Sequence, residues 1–108
     1  MLPKKERLSR EEFNRFFLLG KRYYSPIFQI VYTRQPKLHV SVVISKKITK
    51  LAVKRNKIRR QIYDIVRNYR TEEKTNGVYI FLVKQPILEM KYDEMKQVVH
   101  TMLKSITQ

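Results

Sequence analysis

The sequence predicts an α+β domain: a two-layer α/β sandwich in the order α-β-β-(β)-α-β-α, built on a mixed sheet. Three observations carry this. Apolar residues recur at helical spacing in three places, around 9–19, 58–69 and 93–106. Two short stretches between the first and second of these, 27–33 and 38–45, are rich in β-branched and aromatic residues. A third such run, 78–84, follows a helical connection and can therefore join the sheet parallel to the second. At 108 residues and 43% hydrophobic content, the chain suits one domain spanning 1–108 with a single core.

Residues 1–8 read as a short, mobile basic arm. Ser9-Arg10-Glu11-Glu12 is a capping box, with Leu8 and Phe13 at the two positions of a hydrophobic staple. The helix runs to about Leu19, and Gly20 suits the position just past its end. Phe13, Phe16 and Phe17 stand at i, i+3 and i+4. Such a stripe is core, or one edge of it stays open to stack on unpaired bases. Lys21 to Ser25 reads as a connection. In the strand from Ile27 to Thr33, Phe28, Ile30 and Tyr32 make the better core face, and Gln29, Val31 and Thr33 form the other. A slip of one residue would exchange the two sets. After the turn Gln35-Pro36-Lys37, Leu38, Val40, Val42 and Ile44 share one face of the next strand. The short connection predicts that these two strands pair as an antiparallel hairpin.

Lys46 to Arg70 is the dominant feature. Ten of these residues are Lys or Arg, and Asp64 is the one acid. Lys46 to Leu51 reads as a loop, and a helix starts between Ala52 and Arg55. Ile58, Ile62, Ile65, Val66 and Tyr69 fall on one helical face. Asn56, Arg59, Arg60, Tyr63 and Arg67 then project outward at about 100° per residue. Arginine forks suit bidentate phosphate contact, and Asn and Tyr suit sugar hydroxyls and base edges. Lys54, Arg55 and Lys57 flank the helix start, where backbone amides and the dipole add to the attraction for anions. A merely solvated face usually mixes charge signs, and this one does not. Asn68 to Asn76 is polar and ends the helix, with Gly77 as punctuation. Val78 to Lys84 is nearly all apolar, hence central, and Gln85-Pro86 stops it. From Asp93, Met95, Val98, Val99, Met102, Leu103 and Ile106 line a last amphipathic helix.

The net charge of +15, from 24 basic and 9 acidic residues, points to nucleic acid first and anionic membrane second. The chain has no cysteine, which excludes disulfides, thiol nucleophiles and cysteine-held metals. His39 and His100 stand in no metal-binding spacing, no phosphate-cradling glycine loop is present, and no catalytic or metal-ligating set emerges. No apolar run reaches the length of a membrane span. The opening MLPKKERLSREEF lacks the apolar stretch of a signal peptide, so a cytoplasmic location is expected. No helix-turn-helix is visible. Aromatic residues beside a sheet and a basic helix favour RNA with unpaired segments over DNA.

Ile44-Ser45-Lys46-Lys47, followed by Ala52-Val53-Lys54-Arg55-Asn56-Lys57-Ile58-Arg59-Arg60, resembles the signature of the bacterial ribonuclease P protein subunit. The resemblance extends to Phe13, Phe17 and Gly20, to Val83-Lys84-Gln85-Pro86, and to the final helix. Departures are Lys57 where the family has Arg, Arg59 where it has Lys, and a loop Ile48-Thr49-Lys50-Leu51 without the family's common glycine.

The resemblance implies a left-handed βαβ crossover, the arrangement of the second domain of a small-subunit ribosomal protein, against the general right-handed rule. It implies that Lys46, Lys47, Lys50, Lys54, Arg55, Asn56, Lys57, Arg59, Arg60, Tyr63 and Arg67 meet a large catalytic RNA. It also implies a cleft for the single-stranded 5′ leader of precursor tRNA, lined by Phe13 and Phe17, with Lys84 at its edge. Gln29 and Val31 are favoured for its floor. The implied reaction is endonucleolytic removal of that leader, with an RNA active site, Mg²⁺ held mainly by the RNA, and no organic cofactor. The protein is then a monomer within a ribonucleoprotein and not itself catalytic. One rival reading is a general or ribosome-associated RNA-binding module; another is a stand-alone nuclease.

Overall fold

In the computed structural model, residues 8–72 and 76–107 are described, with side chains over 8–69 and 76–106. The order is α1 (Arg10–Leu19), β1 (Lys21–Tyr24), β2 (Phe28–Thr33), β3 (Leu38–Val43), α2 (Ala52–Glu72), β4 (Gly77–Val83), a 3-10 turn (Gln85–Glu89) and α3 (Tyr92–Thr107). The arm expected over residues 1–8 lies, except for Leu8, outside the described residues, as does part of the polar segment before Asn76.

The four strands form one mixed sheet in the order β1-β2-β4-β3. β4 runs antiparallel to β2 and parallel to β3. The parallel pairing follows the sequence expectation, but the hairpin does not form, because β4 inserts between β2 and β3. The cause is the composition of β4. Val78, Tyr79, Ile80 and Phe81 are all 0% exposed, and such a strand needs a partner on each edge as well as cover on each face. Residues 34–37 can reach about 13 Å when extended. Two strand spacings require only about 10 Å, so the short connection can step across the gap.

β1 is the second departure. Lys21 to Tyr24 is an edge strand, paired from Lys21↔Tyr32 to Tyr24↔Gln29. Ser25 closes its turn. The Ser25 hydroxyl donates to the carbonyl of Phe28 at 2.9 Å and accepts from the amides of Ile27 and Phe28 at 3.3 and 3.0 Å.

The main core lies on one side of the sheet. Phe28, Ile30, Val40, Tyr79 and Phe81 meet Ile62, Ile65 and Val66 of α2, and Met95, Val99 and Leu103 of α3. Each of these α2 residues is fully buried, worth about 1.5–3 kcal/mol per side chain. The opposite side carries a smaller cluster, Phe16 with Val31, Val78 and Ile80. So α2 and α3 form the helical layer, and α1 covers part of the other face.

Gly20 fixes how closely. Its backbone is extended, not left-handed. A Cβ there would stand 2.5 Å from Cγ1 of Val31, so the residue is glycine because the end of α1 presses onto β2. Gly77 does need its freedom, with φ of +118° where the chain enters β4.

Candidate nucleic-acid interface

Register sorts the α1 side of the sheet into rows. Thr33, Val78 and His39 form one. Arg22, Val31, Ile80 and Ser41 form the next, and Tyr24, Gln29, Leu82 and Val43 the third. Phe16 of α1 closes over the first two rows by burying Val31, Val78 and Ile80. The third row stays open: Gln29 and Leu82 are half-buried, Tyr24 is 69% exposed and Val43 is 36% exposed.

Phe13 and Phe17 are half-buried at the margin of the small cluster, with rings stacked 5.7 Å apart at 20°. The capping box that starts their helix is present in full: the Ser9 amide reaches Glu12 at 3.1 Å, and the Glu12 amide reaches the Ser9 hydroxyl at 3.2 Å. The amide of Ser9, then its hydroxyl, hold the Glu12 carboxyl below its ordinary range, with smaller pulls from His39 and Arg15.

The predicted register of the strand carrying Gln29 and Val31 is the observed one, with both facing α1. Val31, however, is only 1% exposed. It is a support beneath Phe16 and cannot offer surface to a ligand, so the accessible floor is the neighbouring row of Gln29, Leu82 and Tyr24. Lys84 stands beside that row. Its ammonium donates to the Ser25 carbonyl at 2.9 Å and lies 5.7 Å from the Tyr24 ring centroid. Arg22 was not singled out by the sequence. Its guanidinium sits 4.8 Å from the Phe17 ring centroid and donates to the Phe17 carbonyl at 3.3 Å, tying β1 to the end of α1. Both Arg22 and Tyr24 lay in the segment read as a connection. The available signal is the pair of strand-favouring tyrosines, Tyr23 and Tyr24, closed by Ser25-Pro26.

β3 ends at Val43, in the open row, and leads directly into the basic loop. That loop closes without glycine. The Lys47 amide donates to the Ser45 hydroxyl at 3.0 Å, the Ile48 amide to the Ser45 carbonyl at 3.0 Å, and the Leu51 amide to the Thr49 hydroxyl at 3.3 Å. Lys46, Lys47 and Lys50 are thereby presented to solvent. Arg55 is half-buried, and its guanidinium donates to the Thr49 carbonyl at 2.9 Å. It anchors the loop to the helix while keeping further donors.

On α2, Lys54, Asn56, Lys57, Arg60 and Arg67 are exposed. Arg59 is half-buried and donates to the Asn56 side-chain oxygen at 3.0 Å, which orients the pair. Tyr63 departs from expectation. It is 7% exposed and belongs to the core cluster, not to the outer face. A tyrosine has an apolar ring long enough to lie along the margin of a core from a flanking position, here three residues before Val66. The expected apolar face of Ile58, Ile62, Ile65, Val66 and Tyr69 is buried in full.

Tyr79 is no candidate acid or base: burial pushes its phenol up, and it donates to the Asn76 carbonyl at 3.1 Å. The His100 ring packs 5.2 Å from that of Tyr69, within the helical layer. Among the described residues no group of three His, Cys, Asp or Glu could hold a metal ion, and no helix is long and apolar enough to cross a membrane.

The family model Ribonuclease P matches residues 2–107. The ribonuclease P protein component of Geobacillus kaustophilus is 33% identical, over 96% of this chain and 89% of that protein. A Bacillus cereus ribonuclease P protein component is 28% identical, over 96% and 94%. Among solved structures, a Staphylococcus aureus RNase P protein mutant with defective mRNA degradation activity superimposes with a TM-score of 0.85 at 20% identity, covering 96% of this chain and 90% of that one. The Thermotoga maritima RNase P protein gives a TM-score of 0.81 at 19% identity, covering 93% and 96%. At these identities the two structures show a shared fold.

Proposed function

The chain belongs to the ribonuclease P protein family, and from that premise we propose that it binds the catalytic RNA of a tRNA-processing ribonucleoprotein and, separately, the 5′ leader of precursor tRNA. One observation carries the proposal. The open row of the sheet and the lysine-rich loop lie at the same end of the molecule, joined through Val43. A strand lying on the aromatic, partly apolar row would pass directly to a cationic surface able to hold a second RNA.

Lys46, Lys47 and Lys50 on the loop, with Lys54, Lys57, Arg60 and Arg67 on α2, face the catalytic RNA in this reading. Phe13, Phe17, Tyr24 and Gln29 meet the leader, and Lys84 supplies charge beside them. The leader's bases have exposed π faces, so stacking gives affinity without demanding one sequence. Cations between two polyanions lower their mutual repulsion, and holding the leader raises occupancy of the reactive complex.

The reaction is hydrolysis of one phosphodiester bond. Mg²⁺ supplies its usual chemistry there, activation of water and stabilisation of the leaving oxygen. This reading assigns the metal mainly to the RNA and gives the protein a binding role. The test is reconstitution with a bacterial ribonuclease P RNA at limiting Mg²⁺. The expected result is restored 5′ processing of precursor tRNA by the mixture and none by the protein alone. Binding without restored processing would favour a general RNA-binding module, and cleavage by the protein alone would favour a nuclease.

A further inference from the structure

A groove of about 440 Å³ adjoins the cationic start of α2, where that helix, the 3-10 turn and the start of α3 meet. Its floor is apolar: Ile58, Ile87 and Met95 are 8, 2 and 2% exposed. Its rim is apolar too, with Leu88 41% and Tyr92 37% exposed. Around it stand three exposed cations, Lys54, Lys57 and Lys91, and no carboxylate lines it. Three acids flank these segments without lining the groove: Glu89 and Asp93, both exposed, and Glu94, which accepts from the Lys91 amide at 3.2 Å at the start of α3.

The combination restricts the occupant. Exposed Leu88 and Tyr92 invite a flat apolar group, and the lysines demand that it carry negative charge. A nucleotide offers both, a π-face and a phosphate. The volume falls in the range of about 300–1,000 Å³ typical of small-ligand sites. A base still held in a duplex cannot enter such a groove, so the occupant is unpaired. Lys54 and Lys57 also belong to the cationic start of α2, so an RNA held there passes the mouth of the groove.

We propose that this groove receives one unpaired nucleotide of the catalytic RNA, its base against Tyr92 and its phosphate among Lys54, Lys57 and Lys91. This rests on the reading of α2 as the RNA grip. It adds a contact on the helical layer, on the opposite side of the sheet from the leader surface.

The test uses the full chain with a bacterial ribonuclease P RNA. Tyr92→Ala weakens the complex about tenfold, the loss of one stacked base, and leaves the salt dependence unchanged. Tyr92→Phe keeps the ring and binds as wild type. Lys91→Ala lowers the slope of log affinity against log salt by about one contact. A photoreactive group on Leu88→Cys, in an otherwise unaltered chain, attaches to one unpaired nucleotide. Wild-type affinity of a folded Tyr92→Ala protein overturns the proposal. Attachment spread over paired segments, or to a second copy of the chain, does so as well. If the wild-type protein itself fails to bind the RNA, the reading of α2 fails and the groove with it. If wild type binds and Tyr92→Ala is indifferent, the groove alone fails.

Discussion

At the scale of single residues, Phe17 has two neighbours that matter. It stacks on Phe13 and lies beneath the Arg22 guanidinium, so it is held in place yet only half-buried. In the proposed reading, the part of this ring that Phe13 and Arg22 leave open meets a leader base. Phe17→Ala in the reconstituted enzyme is expected to weaken precursor tRNA binding about tenfold, by analogy with the loss of one stacked base, and to leave mature tRNA binding unchanged. Equal losses for both, in a protein whose circular dichroism is intact, would refute the assignment. Glu12 gives a second residue-scale expectation. Its folded carboxyl titrates below its ordinary value. The carboxylate therefore stabilises the fold above the unfolded value, and that contribution is lost as pH falls through the lowered folded value. Thermal midpoints of wild type and Glu12→Gln should converge as pH drops from about 6 into the carboxylate range. Parallel curves would show that the Glu12 charge contributes nothing measurable to the cap.

At the scale of elements, the loop 44–51 and α2 act as one unit. Ser45 and Thr49 close the loop through their hydroxyls, and Arg55 ties it to the helix. The lysines are free of that work. Lys46→Ala with Lys47→Ala should therefore leave the fold intact and flatten the salt dependence of catalytic RNA binding. The expected change in slope is about 0.7–0.9 per lost phosphate contact. An unchanged slope in a titration between low and moderate salt would remove the loop from the interface. The element most open to misreading was β1. Four residues with two tyrosines and two cations look like a tether, and only pairing with β2 makes them a strand.

At the scale of the molecule, a net charge of +15 on 108 residues strongly favours a polyanionic partner. The described cations are not spread evenly in function. Arg22, Arg55 and Lys84 each donate to backbone carbonyls and hold parts of the fold together, while the loop lysines, Arg60 and Lys91 face solvent. If the chain works by screening one RNA from another, its benefit in the reconstitution should shrink as Mg²⁺ rises, because the ion then supplies the same screening. A benefit independent of Mg²⁺ would point instead to a rearrangement of the RNA.

The sequence by itself determined the helices, the faces of β2 and β3, the buried side of α2 and the cationic loop, because local periodicity and charge decide these. Alternation along β2 sets Gln29 on the face opposite Phe28 and Ile30; that Phe13 and Phe17 lie over that face was implied only by the family resemblance. What only the tertiary structure decided was strand order, and with it which row of the sheet is left open. The insertion of β4 between β2 and β3 depends on burial competition among whole strands, which no local pattern records. That insertion aligns Tyr24, Gln29, Leu82 and Val43 in one open row, places Val31 beneath Phe16, and leaves the groove beside Tyr92 where three elements distant in sequence meet.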